Sequence, residues 1–385
     1  MIQMSLTRAA RGMGTGYDGR DVTFRGCSTD SRTINAGELF IAIRGTRFDG
    51  HAFVAAAAQR GACAALVERN ISTDLPLLVV ADTRKAMGSL ARCWRQNFPV
   101  PLIAVTGSNG KTTVKEMLIR ILEQKGSVLA TRGNLNNDIG VPLTLFGMDA
   151  EHWCAVLEMG ANHPGEIAWL ANIAGPTVAV ITQCAPAHLE GFGSIDGVAR
   201  AKAEIYAGLG RHGVAVVNAD DHYAQQWLAA TRHLRQITFG LDPGAEVTAR
   251  GLVTGPTGET DFTLCTPAGE IGISLSLPGR HNVMNALAAA ACVTGLELDL
   301  EVIRSGLQSM GPVKGRLQRK TGFRQATVLD DTYNANPVSL NAALQVLRPL
   351  PGRHWLVLGD MGELDRKSTR LNSSHMSESR MPSSA

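Results

Sequence analysis

The sequence predicts an α/β fold in three parts, with a parallel sheet in the central one. Short apolar runs recur along the chain, each closed by Gly, Asp or Asn: "LIAVTG", "CAVLEMG", "TVAVITQ" and "VAVVNAD". Runs that are apolar throughout and separated by helical segments belong to strands covered on both faces. At 385 residues the chain is too long for one ordinary core, so two or three domains are expected. Glycine is abundant, at 41, and aromatics make up only 5%, as suits an α/β enzyme with many tight turns.

The elements divide as follows. Residues 1–98 alternate short strands with one Ala-rich helix: "GELFIAIRG" is a strand bounded by glycines, and "HAFVAAAAQRGACAALVE" reads as helix, Gly stop, strand. Pro99 and Pro101 stiffen a break before "LIAVTG". Residues 99–313 carry the central parallel sheet. A third part, 314–365, repeats the pattern with "ATVLDDTYNANP" and "HWLVLGDMGEL". The segment 366–385 has seven serines and no apolar period, and is expected to be disordered.

Composition narrows the class. With 44% apolar and 18% charged residues the chain reads as soluble and globular. A net charge of +3 gives no reason to expect nucleic acid or a membrane surface as partner. Seven scattered cysteines without a C-x-x-C pair read as small buried hydrophobes in a reducing compartment. The N-terminus lacks the apolar core of a signal peptide, and no window reaches 18 uninterrupted apolar residues.

The chemistry starts at "VTGSNGKTTVKEM". A P-loop reads G-x-x-x-x-G-K-[ST], but here Val105 stands where the first glycine belongs. The context is still that of a phosphate loop: a buried strand, then Gly107-Ser108-Asn109-Gly110-Lys111-Thr112-Thr113, then a helix. Backbone N–H groups and the positive helix end converge there on an anion. Gly107 and Gly110 let the backbone approach phosphate, Lys111 supplies a charge, and Thr112 offers a hydroxyl to Mg²⁺. A metal carboxylate belongs at the carboxyl end of a neighbouring strand, where Glu158 in "CAVLEMG" comes directly after the apolar run. His188 follows another strand end, although a lone His is more often structural than a ligand. Lys202, among small residues of a helix, reads on its own as a surface lysine.

The shortened loop has a precedent. "TGSNGKTT" resembles the T-G-x-x-G-K-T loop of the Mur ligase family, and the likeness runs from about residue 22 to 364. "STDSRTINAGELFIAIRGTRFDGHAF", "LEMGANHPGEI", "AHLEGFGS", "AKAEI", "PGRHNVMNALAA" and "DDTYNANP" follow in family order, and "GNLNNDIGVPLTL" resembles the dipeptide-adding members. The resemblance implies three domains: a UDP-sugar-binding domain, a central ATPase domain and a Rossmann-like domain. It implies a cytoplasmic, monomeric ligase of peptidoglycan synthesis. Such an enzyme activates UDP-N-acetylmuramoyl-tripeptide with ATP as an acyl phosphate, which the amine of D-alanyl-D-alanine then attacks.

The resemblance also assigns residues. Lys111, with Mg²⁺ at Thr112 and Glu158, would hold the terminal phosphates. His188 and a carbamylated Lys202 would serve a second Mg²⁺. Asn282 and Asn285 would contact the nucleotide, Arg316 would reach ATP, and Asp331, Tyr333, Asn334 and Asn336 would face it from the third domain. Asn134, Asn136 and Asn137 would lie near the tripeptide, and Asp30, Ser31 and Arg32 near the uridine diphosphate. Lys314 stands where the family more often has Pro, and the likeness ends near Asp365, so a truncated or chimeric product is expected. Two further readings stay open: a nucleotide and UDP-sugar-binding fragment with little or no turnover, and another ligase of the superfamily such as a folylpolyglutamate synthetase.

Overall fold

The computed structural model describes residues 1–46, 48–186, 189–255, 258–359 and 361. The N-terminal part holds a four-stranded parallel sheet in the order Cys27–Ser28, Leu39–Ile41, Ala64–Val67, Leu77–Val79. The Ala-rich helix is Val54–Gln59, but two more helices accompany it. Leu6–Met13 starts at the Ser5 cap and stops at Gly14, whose φ of 73° only glycine adopts readily. Thr83–Arg95 starts where the Asp82 carboxylate accepts from the N–H groups of Arg84 and Lys85.

The central sheet has six parallel strands in the order Arg235–Phe239, Val214–Asn218, Val178–Ile181, Leu102–Thr106, His152–Glu158, Ser127–Ala130. Alternate residues serve opposite faces. Leu102, Ala104, Ala179, Ile181, Ala215 and Val217 pack into one core shared with the N-terminal part. Ile103, Val105, Val178, Val180, Val214 and Val216 pack into a second core, against the helices Lys111–Leu122, Arg280–Gly295 and Leu300–Gln308. Both faces are covered, which is why these strands read as unbroken apolar runs.

Two expectations need correction. Residues 99–313 are not parallel throughout, because Thr248–Thr254, Thr260–Thr266 and Gly269–Leu275 form an antiparallel sheet. Thr260–Thr266 and Gly269–Leu275 alternate in burial and Thr248–Thr254 is mostly exposed, a weaker signal than a continuous run. The third part does not repeat the parallel pattern either. Thr327–Asp330 pairs antiparallel with Gln318–Thr321, since a connection this short cannot make a crossover. "HWLVLG" carries no strand among the described residues. The expected segment 366–385, and the end of 314–365, lie outside them.

One side chain fixes the junction between the first two parts. Arg95 is buried and donates to the carbonyls of Phe98, Val100 (2.8 Å) and Ala174 (3.2 Å). Replacing it with Met leaves three carbonyls without their donor. At roughly 1 kcal/mol or more per orphaned group, Arg95→Met should cost about 3 kcal/mol. A urea midpoint equal to that of the parent would show that water takes over the guanidinium's role.

Candidate active site

The phosphate loop leaves the sheet at its switch point. The strand Leu102–Thr106 is flanked by His152–Glu158 on one side and Val178–Ile181 on the other, so their carboxyl ends converge around the loop. Ser108 N–H donates to Gln183 O at 2.9 Å, and the Ser108 hydroxyl donates to Ala185 O at 2.9 Å. Thr182 donates its hydroxyl to Asn109 O at 2.5 Å, and Asn218 donates to Thr182 O at 2.8 Å. Gly110 has φ 84°, and a Cβ there would meet the Asn285 carboxamide. No side chain caps the helix Lys111–Leu122 that begins after it, so its first N–H groups remain available to an anion.

Two predicted residues meet on a third, a buried carboxylate. Glu158 is 2% exposed. Its Oε2 accepts from the Thr112 hydroxyl at 3.0 Å and its Oε1 from the Asn136 amide at 2.8 Å. The Glu158 N–H donates to the Thr131 hydroxyl at 3.0 Å. Lys111 donates to Gly107 O at 2.8 Å. Burial pulls the pKa of Lys111 down, Glu158 opposes that shift and Arg316 adds to it. Lys202 is 3% exposed, and its pKa is pushed down to about 7, first by burial and then by repulsion from Lys111. Beside it, burial pushes the Cys184 thiol up to about 12. His188 lies outside the described residues.

A cavity of about 340 Å³ opens beside the loop, lined by Asn109, Gly110, Thr113, Asn282, Asn285, Arg316 and Asp331 among the predicted residues. This is the size range of small-ligand sites. Arg316 stacks on the Tyr333 ring at 4.2 Å, and its buried Nε has no hydrogen-bond partner. A desolvated guanidinium with an orphaned donor suits an anion. Asp331 accepts from the N–H of Leu317 at 3.1 Å and so fixes the backbone beside Arg316. Asn282 donates to Pro278 O at 2.7 Å, and Asn285 donates to Asn282 Oδ1 at 3.1 Å.

Other predicted residues sit elsewhere. Asn334 turns its side-chain oxygen onto the N–H of Ala335 and does not line the cavity. Asn137 accepts from the N–H groups of Ile139 and Gly140, so its oxygen caps a helix start. Asn134 is exposed on the same loop. Asp30 and Ser31, half-buried, and Arg32, exposed, lie at a turn in the N-terminal part, where the Arg32 guanidinium holds the Asp30 carboxyl down to about 2. Asn336 does not line the cavity; its amide donates to Asn109 Oδ1 at 2.6 Å. Thr182, Asn218 and His281 also line the cavity without having been singled out, and burial lowers the His281 pKa to about 4. A threonine or asparagine after a strand has no pattern that reports a partner 70 residues away.

A short phosphate loop at the switch point of a parallel sheet, facing a buried carboxylate and a polar cavity, defines a nucleotide-binding α/β protein. The Mur ligase middle domain matches residues 105–293, the Mur ligase family catalytic domain 23–101, and the Mur ligase glutamate ligase domain 315–379. The UDP-N-acetylmuramoyl-tripeptide–D-alanyl-D-alanine ligase of Escherichia coli K12 is 45% identical, over 96% of this chain and 81% of its own length. The enzyme of the same name from Haemophilus influenzae is 41% identical, over 97% and 82%. A crystal structure of MurF from Acinetobacter baumannii superposes with a TM-score of 0.91 at 40% identity, covering 95% of this chain and 81% of that one. MurF ligase from Thermotoga maritima, in complex with ADP, gives 0.80 at 29%, covering 91% and 81%. The chain belongs to the Mur ligase family.

Two outcomes are expected of the site. Lys111→Ala removes a charge-assisted contact worth roughly 1.5–3 kcal/mol, so ATP affinity measured by calorimetry should fall about 10- to 100-fold while the melting temperature stays close to the parent's. Undiminished affinity would remove Lys111 from the phosphate site. The second concerns pH. An unfolded lysine holds its proton to about 10.5, whereas buried Lys202 gives it up at about 7. Between those values the unfolded state binds more protons, so this group makes stability rise with pH from about 7 to 10.5 and exerts its full penalty below 7. In buffer free of carbon dioxide, the stability difference between the parent and Lys202→Met should shift across that window. A constant difference would mean that the amine is solvated.

Proposed function

We infer that this chain is an ATP-dependent ligase that joins D-alanyl-D-alanine to UDP-N-acetylmuramoyl-tripeptide in peptidoglycan precursor synthesis. The relatives of that name support the substrates. The observation that carries the reading is the meeting at Glu158. Thr112 of the phosphate helix and Asn136 of the loop "GNLNNDIG" hold opposite oxygens of one carboxylate, an arrangement that supports a site where nucleotide and first substrate would meet.

The reaction needs a triphosphate and a carboxylate brought together against their repulsion. A carboxylate oxygen of the tripeptide attacks the γ-phosphorus and ADP leaves. The dipeptide amine then attacks the acyl carbon and phosphate leaves as the amide forms. Catalysis of this kind is positioning and charge stabilisation rather than covalent chemistry. Lys111 and the N–H groups at the start of its helix bind the terminal phosphates. Arg316 adds a second cation from across the cavity, and Asn282 and Asn285 border the nucleotide.

Mg²⁺ fits the donor set. Among the described residues no cluster of three or more His, Cys, Asp or Glu could hold a metal by itself. A hydroxyl and a carboxylate completed by phosphate oxygens is the all-oxygen, partly substrate-built set that Mg²⁺ prefers. Thr112 and Glu158 would hold one ion, and when bound it neutralises charge developing on the phosphates. Lys202 and His188 would serve a second. With its pKa near 7, the Lys202 amine is largely free of its proton at mildly alkaline pH, the form that adds carbon dioxide. A carbamate there turns a cation into an oxygen ligand and removes the repulsion from Lys111. Residues 1–98 would bind the UDP-sugar and 99–313 ATP, and the ligase-domain match over 315–379 runs past Asp365, where the likeness was expected to end. Among the described residues no helix is long and apolar enough to cross a membrane.

Turnover tests this reading. Phosphate release should require both UDP-N-acetylmuramoyl-tripeptide and D-alanyl-D-alanine for full rate, with the pentapeptide as product. Lys202→Ala should lose nearly all of the rate and regain part of it in formate or acetate, which restore the missing carboxylate. Phosphate release indifferent to the UDP-substrate would refute the substrate assignment. A fully active Lys202→Ala variant would return that lysine to a structural role.

A further inference from the structure

Lys115 is a buried amine that the reaction as described leaves unused. It lies one helical turn after Lys111 and is 2% exposed. Its Nζ donates to the Thr131 carbonyl at 2.9 Å and pairs with the Glu116 carboxylate at 2.8 Å. Glu116 reaches solvent, so that ion pair alone would not require the ammonium to leave water. Burial of a charge is unfavourable unless a specific partner compensates it. Here the buried partner is one carbonyl, and its position is informative.

Thr131 follows the strand Ser127–Ala130 and is itself 2% exposed. It is held at three points. Its N–H donates to Val156 O at 3.1 Å, its carbonyl accepts from Lys115, and its hydroxyl accepts from the Glu158 N–H at 3.0 Å. Glu158 is thus tied through Thr131 to the helix that carries Lys111 and Thr112. Past Thr131 the chain runs into the loop whose Asn136 holds the other oxygen of the same carboxylate. A rigid helix with contacts one turn apart keeps the phosphate lysine, the Thr112 hydroxyl and Glu158 in one register.

We propose that Lys115 is a positioning residue for the metal carboxylate: by gripping the Thr131 carbonyl it fixes Glu158 against Thr112 and sets the start of the Asn136 loop. The proposal rests on the reading of Thr112 and Glu158 as the Mg²⁺ site. Residues standing behind a metal ligand typically change metal affinity by about 10- to 100-fold when removed.

The test is the Mg²⁺ concentration that half-saturates ATP binding, measured by calorimetry, together with ATP affinity in EDTA and the melting temperature. Glu158→Gln is the reference for the metal site itself. Lys115→Met keeps the length of the side chain and removes its charge, and Thr131→Val removes the hydroxyl beneath Glu158. Each should raise the Mg²⁺ requirement about tenfold while metal-free ATP affinity stays unchanged. The double variant should shift it no further than the larger single one, because both act on one connection. If Glu158→Gln raises the requirement and Lys115→Met does not, Lys115 serves packing alone and the proposal is overturned, whatever the melting temperature. If Glu158→Gln leaves it unchanged, the metal reading falls and the proposal with it. Should Lys115→Met fail to fold, Thr131→Val decides: an unchanged requirement overturns the connection, and a raised one supports it.

Discussion

A carboxylate buried at the end of a central strand is the constraint around which the site is built. Glu158 has almost no contact with solvent, so its charge must be met by hydrogen-bond donors. The donors come from two segments: Thr112 on the phosphate helix and Asn136 on the loop after Ser127–Ala130. Thr131 holds its backbone, and the charge of Glu158 opposes the deprotonation that burial favours at Lys111. Moving any one of these segments would leave a buried charge short of a partner, which is why the loop, the helix and the strand behave as one unit.

The same reasoning explains why the loop is two residues shorter than the usual phosphate loop without losing its grip. Shape that a longer loop would carry in its own turns is supplied from outside. Thr182 binds the Asn109 carbonyl, Ser108 is held by Gln183 and Ala185, and Asn218 steadies Thr182. The price is steric: a side chain on Gly107 would run into the Thr182 hydroxyl, and one on Gly110 into Asn285. Glycine is needed here as much for close approach as for backbone freedom.

Much of this was legible in the sequence because its signals are local. The central strands announce themselves as apolar runs, and Gly-Lys-Thr between strand and helix marks the anion site. Glu158 was legible from its place at a strand end. What could not be read is set by partners distant in the chain. Asn137 carries the same side chain as Asn136, yet it caps a helix while Asn136 holds Glu158. Lys115 looks like any solvated helix lysine until its face is seen to be buried. The strands of 248–275 gave no continuous apolar signal because two of them alternate between a wet and a buried face and Thr248–Thr254 is mostly exposed. The pairing of 327–330 was misjudged because a run's apolarity says nothing about its neighbour's direction.

The central part alone does not enclose the cavity beside the phosphate loop. Its walls include Ser339, Asn341 and Gln345 of the helix Pro337–Leu347, together with Arg316 and Asp331 from the segment before it. Among the described residues, the Asn336 side chain links the start of that helix to the phosphate loop. Asn336 caps it by accepting from the N–H of Ser339 at 2.9 Å, and the amide of the same residue donates to Asn109 Oδ1 at 2.6 Å. One side chain therefore orders the helix start and touches the phosphate loop. A displacement of the helix must either break this bond or move the loop that Thr182 and Ser108 hold in place. The loop is the better anchored of the two, so the bond should yield first. A nucleotide that contacts both walls favours the arrangement in which the bond is made, by as much as its affinity differs between the two arrangements.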